Sequence, residues 1–154
     1  MQNSNREKKP EGSPRRDNRV AAMQFIYMMD MNGSENFAEA LRIFFEGRAH
    51  PRDYYSFAEE LINGVNDHKE RVDKTIQECA ENWKFSRIAR VDLAILRLAI
   101  YELFYREDIP PIVSINEAID LSKSFSGVES KRFVNGILDK VKGRLKRPLR
   151  TASI

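Results

Sequence analysis

Six residues of this chain have the type and spacing to do chemistry, and that chemistry is the binding of a polyanion. Arg15, Arg16 and Arg19 stand in RRDNR, where a polar N-terminal segment passes into the first helical pattern. Cations at such a junction reach phosphates, and the helix N-terminus adds its own positive dipole. Lys131, Arg132 and Phe133 open the last helical pattern in the same manner. A basic pair beside an aromatic suits single-stranded nucleic acid, with cations holding the backbone and a ring stacking on a base. Two plainer readings stand beside these. A basic terminus can serve only as a solubilising tail, and Phe133 also fits the apolar stripe of its helix, so it either stacks on a base or packs in the core.

The charge of the whole chain agrees with the first reading. Residues 1–19 carry six Arg and Lys against three acids, and residues 131–154 carry eight against Asp139 alone, while the centre has a net charge of −7. Both ends are basic around an acidic body. If the fold joins the ends they form one cationic surface, leaving acidic faces for a basic protein.

Catalysis has no such support. No G-x-S-x-G, Gly-rich phosphate loop or H-E-x-x-H is present. Glu59-Glu60 and Glu78/Glu81 read as solvated helix faces, and His50 and His68 as ordinary surface histidines. One cysteine, Cys79, forms no intramolecular disulfide and reads as a small buried hydrophobe; with two histidines there is no metal-ligand spacing. Trp83 and Phe85 are expected to anchor a loop onto the core. No metal or cofactor is expected. The stretch Leu93 to Ile100, interrupted by Arg97, is too short to span a bilayer, and the polar N-terminus lacks a signal-peptide core, so a cytoplasmic protein with no membrane partner is expected.

The elements that must position the basic residues are helices. Residues 1–16 hold one apolar residue, Met1, and read as a flexible basic arm. Asp17 or Asn18 can cap a first helix with Val20, Met23, Ile26 and Tyr27 inward, ending at Asn32-Gly33. Ser34 can cap a second, Pro51 suits the first turn of a third, and Asn66 or Asp67 can cap a fourth. RIARVDLAILRLAIYEL at 87–103 is apolar over more than half its circumference and predicts a central helix contacted on several sides. A sixth helix begins with a Ser114/Glu117 capping box or nearer Pro111, and Ser130 can cap a seventh whose inner face is Phe133, Val134, Ile137, Leu138 and Val141. The class is all-α, about seven helices around one or two adjoining cores, with a domain at 17–143 and a basic tail at 144–154.

The central stretch, IPPIVSINEAIDLSKSF at 109–125 and FVNGILDKV at 133–141 resemble the C-terminal half of the NusB family, and RVAAMQFIYMMD at 19–30 resembles its opening helix. The resemblance covers roughly residues 15–145, and INEAI and FVNG are its most specific elements. It implies an all-helical fold of two small adjoining bundles and no enzyme activity. It further implies binding of the boxA element of nascent, single-stranded RNA together with NusE, a small-subunit ribosomal protein. That pair joins other Nus factors on RNA polymerase to suppress premature termination, notably in ribosomal RNA operons. The family's arginine-rich motif matches Arg15, Arg16 and Arg19, with Asp17 where a further base is usual. Its other RNA contacts carry over to Gln24, Lys131, Arg132 and Phe133, with Glu129 as an acid beside that surface. Asp92 matches an acidic position on the central helix that faces NusE. Asn116, Glu117, Asn135 and Gly136 belong to the motifs but are expected to be structural, Gly136 through close packing. The family contains both monomers and homodimers.

Two rival readings remain. A NusB-like domain also precedes the catalytic domain of some ribosomal RNA cytosine methyltransferases, though no cofactor-binding sheet or catalytic cysteine motif follows residue 145. A protein-only scaffold with solubilising ends is the other, and salt dependence separates it, since neutralising about five phosphates of single-stranded RNA predicts a slope near −3.5 in log K against log salt.

Overall fold

The computed structural model describes residues 13–154; residues 1–12 of the expected arm lie outside them. Seven α-helices and no strand are present among the described residues: α1 (Pro14–Asn32), α2 (Phe37–Glu46), α3 (Ser56–Asp67), α4 (Lys69–Cys79), α5 (Arg90–Tyr105), α6 (Pro111–Phe125) and α7 (Val128–Lys142). Short 3-10 turns at Arg52–Tyr55 and Phe85–Arg87 lead into α3 and towards α5.

Helix α5 organises the rest. Every residue from Asp92 to Leu103 is buried, because α1, α3, α4, α6 and α7 all pack on it. One bundle is formed by α1 and α3 against α5, with α2 packed on the Arg52–Tyr55 turn and on Phe25 of α1, the other by α4, α6 and α7 against the same helix, and their apolar residues merge into a single continuous core. The closest approach is at Gly64 of α3, where a Cβ would lie 1.9 Å from the Tyr101 ring. Only glycine lets the two helices meet there.

A helix buried on all sides has no solvent for its charges, so each must find a partner inside. Arg97 forms a two-point contact with Asp73 of α4 at 2.8 and 3.0 Å, and lies 3.5 Å from Asp30 of α1. Glu102 accepts from Arg19 of α1 at 2.8 Å and from the Ser114 hydroxyl of α6 at 2.9 Å. Asp92 accepts from the hydroxyls of Ser126 and Ser130, at 2.9 and 3.1 Å.

These ties correct several expected helix starts. Helix α1 begins at Pro14, capped by the Ser13 side chain, so residues 14–16 of the expected arm are helical. Asn18 instead reaches the carbonyls of Pro14 and Tyr54 and the Ala58 amide, and Asp17 accepts from the Tyr54 hydroxyl at 2.6 Å. Asn36, not Ser34, caps α2. Helix α3 runs to Asp67 and α4 follows His68, without a cap from Asn66 or Asp67. Helix α6 begins at Pro111, as the second of its two expected starts had it, leaving Ser114 for Glu102 and Glu117 for Arg16. Helix α7 begins at Val128 after Gly127, whose φ of 125° a side chain would disfavour, and Ser130 is spent on Asp92. Asp17, Asn18, Ser114 and Ser130 each had a tertiary partner that outcompeted the local backbone, whereas Ser34 bonds the backbone of Asn36.

The Arg19–Glu102 pair is buried on both sides, so removing one partner strands a charge in the core. Arg19→Ala is expected to cost about 3–5 kcal/mol of folding free energy in a urea titration, whereas Arg42→Ala, which breaks only surface pairs with Glu39 and Glu46, should change little. Equal losses at the two positions would contradict this assignment.

Candidate nucleic-acid interface

The two basic helix starts lie at opposite ends of α5. The start of α1 sits against Glu102 and the start of α7 against Asp92, ten residues or about 15 Å apart along the helix axis. A ligand touching both must cross α6.

At the first end, the three arginines of RRDNR have different fates. Arg15 is exposed, its guanidinium 4.3 Å from the Phe57 ring centroid, and it makes no direct ion pair among the described residues. Arg16 is exposed and pairs with Glu117 at 3.3 Å and Asp120 at 3.0 Å. Such surface pairs are weak, so a phosphate can replace them. Arg19 is 3 % exposed and bound by Glu102 through both Nε and Nη2. It therefore leaves the list of expected RNA contacts: its role is to anchor α1. Arg15, Arg19 and Arg106 gather around Phe57, where carboxylates offset the charge of Arg19 and Arg106 and cation–π attraction adds to them.

The C-terminal segment joins this end. Arg147 donates to the carbonyls of Leu103 and Arg106 and to that of Ile109, the groups a helix C-terminus leaves unpaired. The Leu149 carbonyl accepts from the Ile112 amide, and the Ser153 amide donates to Glu107. The expected basic tail is docked, and its Arg147 lies at the C-terminal end of α5, the end at which Arg19 of α1 is bound.

At the second end, Trp83, Arg87, Ile88, Ala89, Asp92, Glu129, Ser130 and Phe133 line an open groove. Phe133 is half-buried against the core and meets Trp83 edge to face, ring centroids 5.6 Å apart. Trp83 is 57 % exposed, so it does not anchor its loop as expected; Phe85, packed against the core, does. Lys131 is half-buried, and Arg132 and Glu129 are exposed. Asp92 is 4 % exposed and engaged by two serines. It is no surface acid, and what it organises is the junction of α6 and α7 that carries Lys131 to Phe133.

Gln24 lies between the two ends on α1, half-buried, accepting from Arg48 at 2.5 Å. His50 and His68 stack on Tyr54 and Tyr105, at 4.0 and 3.8 Å. Burial raises the Cys79 thiol above its ordinary pKa. Among the described residues no three metal-ligating side chains converge, and no helix is long and apolar enough to cross a membrane. Trp83 and Arg87 are the groove residues that sequence reasoning missed. The polar neighbours Glu81, Asn82 and Lys84 were the available sign that Trp83 faces water.

The NusB family model matches residues 16–143. This chain belongs to the NusB family. The transcription antitermination protein NusB of Geotalea uraniireducens is 46 % identical over 137 residues, covering 84 % of this chain and 94 % of that one. NusB of Myxococcus xanthus is 42 % identical, with 87 % and 98 % covered. Among solved structures, T. maritima NusB superposes with a TM-score of 0.76 at 31 % identity, over 88 % of this chain and 94 % of its own. A crystal structure of the antitermination factors NusB and NusE in complex with double-stranded RNA gives 0.76 at 26 %, over 86 % and 98 %. NusB proteins are transcription antitermination factors rather than enzymes.

Asp92→Ala leaves two hydroxyls without an acceptor at the head of α7. The expected result is a loss of about 1–3 kcal/mol, with hydrogen exchange accelerated first at residues 128–133; uniform acceleration across all helices would show that Asp92 supports the core rather than this junction.

Proposed function

We propose that this chain is a cytoplasmic transcription antitermination factor that binds the boxA element of nascent RNA together with NusE. With other Nus factors on RNA polymerase it suppresses premature termination, notably in ribosomal RNA operons. The observation that carries the RNA reading is the exposed start of α1, where Arg15 stands on Phe57 without a direct ion pair among the described residues and Arg16 is held only by surface acids. The relative crystallised with NusE and double-stranded RNA supports the choice of partners.

The phosphate contacts assigned are Arg15, Arg16, Lys131 and Arg132, and Gln24, on α1 beside Arg48, is assigned as a further RNA contact. Phe133, edge-on to the exposed Trp83, offers a ring to an unstacked base at the far end. Glu129, exposed beside the groove, opposes phosphate and tempers affinity. NusE, as a basic ribosomal protein, fits the acidic central part of the chain; Asp92 takes part only by holding the α6–α7 junction in place.

The test is binding of a boxA RNA and a scrambled control, with and without NusE, at two salt concentrations. Preference for boxA, strengthened by NusE, is expected; with four cations rather than five, the slope of log K against log salt should be near −3 (about 0.7 per phosphate). Equal, weak binding to both RNAs, unmoved by NusE, would overturn the proposal. Within the same assay Glu129→Gln should tighten RNA binding, and unchanged or weaker affinity would remove Glu129 from the interface.

A further inference from the structure

Glycine is the poorest helix former after proline, so a glycine inside a helix needs a reason. At Gly64 the reason is the Tyr101 ring in the place of a side chain. Gly136, in the middle of α7, has no such reason. Its backbone is not in the left-handed region that favours glycine, it is exposed, and a Cβ there would meet nothing within 4 Å. The close packing expected of it from sequence is absent. Nothing inside the described fold requires this position to be bare.

The surroundings indicate what does. Arg132 lies one turn before Gly136 and Lys140 one turn after, and side chains four apart on a helix share a face. Arg132 is exposed and makes no direct ion pair among the described residues. Lys140 donates to the Cys79 carbonyl, so no acid neutralises it there. Of the exposed acids on this side of the helix, Asp139 is paired with Lys142 at 3.0 Å, and Glu129 lies two turns before Gly136, beyond Arg132. Phe133, three residues before Gly136, meets Trp83 at the edge of the same face. The exposed outer surface of α7 is therefore bare at Gly136, between two cations and with an aromatic pair beside it.

We infer that Gly136 is a contact point for the ribose–phosphate backbone of single-stranded RNA, which lies directly on the bare helix between Arg132 and Lys140. The inference rests on the RNA-binding reading above and extends it a further turn along α7. A chain held by Arg132, with a base over Phe133, must pass this point to continue towards Lys140. Any side chain at 136 lifts the backbone off the helix and separates it from the cations on either side.

Gly136→Ala and Gly136→Gln test this, because the two possible roles of the glycine move stability in opposite directions. With open space around the Cβ, Gly136→Ala should raise Tm by about 2–4 °C while weakening boxA RNA binding about tenfold, and Gly136→Gln should weaken it further. Binding of NusE alone should be unchanged. A raised Tm with undiminished RNA affinity would overturn the inference, and a lowered Tm would show that the glycine serves the fold. Loss of NusE binding with RNA binding intact would assign the face to a protein and equally overturn it. Failure of the parent protein to bind boxA RNA is a separate result that removes the functional proposal itself.

Discussion

The structure depends on one constraint: α5 is buried along its whole middle and yet carries Asp92, Arg97 and Glu102. Leaving any of these charges unpaired would cost several kcal/mol, so the surrounding helices are placed where they can answer them. Glu102 fixes the start of α1 and the first half of α6, Arg97 takes acids from α1 and α4, and Asp92 gathers the end of α6 and the start of α7. Apolar packing alone would accept many rotations and slides of helices this short. The polar ties select one, although a buried ion pair of this kind contributes more to arrangement than to net stability.

The candidate interface follows from that arrangement. Arg15 and Arg16, four and three residues before the buried Arg19, lie on its side of α1 but in the first turn, where they are exposed. Tying Ser126 and Ser130 to Asp92 presents Lys131, Arg132 and Phe133 beside Trp83. Neither group is shaped by a pocket; both are helix starts whose positions are set from below by a buried carboxylate. The dipole at the C-terminal end of α5 adds to this by drawing Arg147, and with it the basic C-terminal segment, to the side where α1 begins.

The helices themselves were legible in the sequence, since a 3.6-residue apolar period marks a buried face whatever it packs against. Their starts were less so, because serine, asparagine and aspartate at a helix end look the same whether they cap the backbone or cross to another helix. Asn18, Ser114 and Ser130 do the latter. Arg19 carried a readable sign: it lies four residues before Met23 and seven before Ile26, on the inner face of α1, so its period argued for burial while its charge argued for RNA. Asp92 carried the same sign within the apolar stretch of α5. What no pattern could supply was the partner, because Glu102 is 83 residues from Arg19.

The central claim is that buried carboxylates of α5 hold a preformed RNA face from which Arg19 itself is excluded. The most direct measurement is an NMR titration of the protein with boxA RNA, following backbone amides and the Nε–H groups of the arginines and Trp83. Shifts are expected at Arg15, Arg16, Trp83 and residues 131–136, with the Arg19 Nε–H unmoved and still protected from exchange. A shift or loss of protection at Arg19 on RNA binding would mean that the pair with Glu102 opens to meet the ligand, and would contradict it.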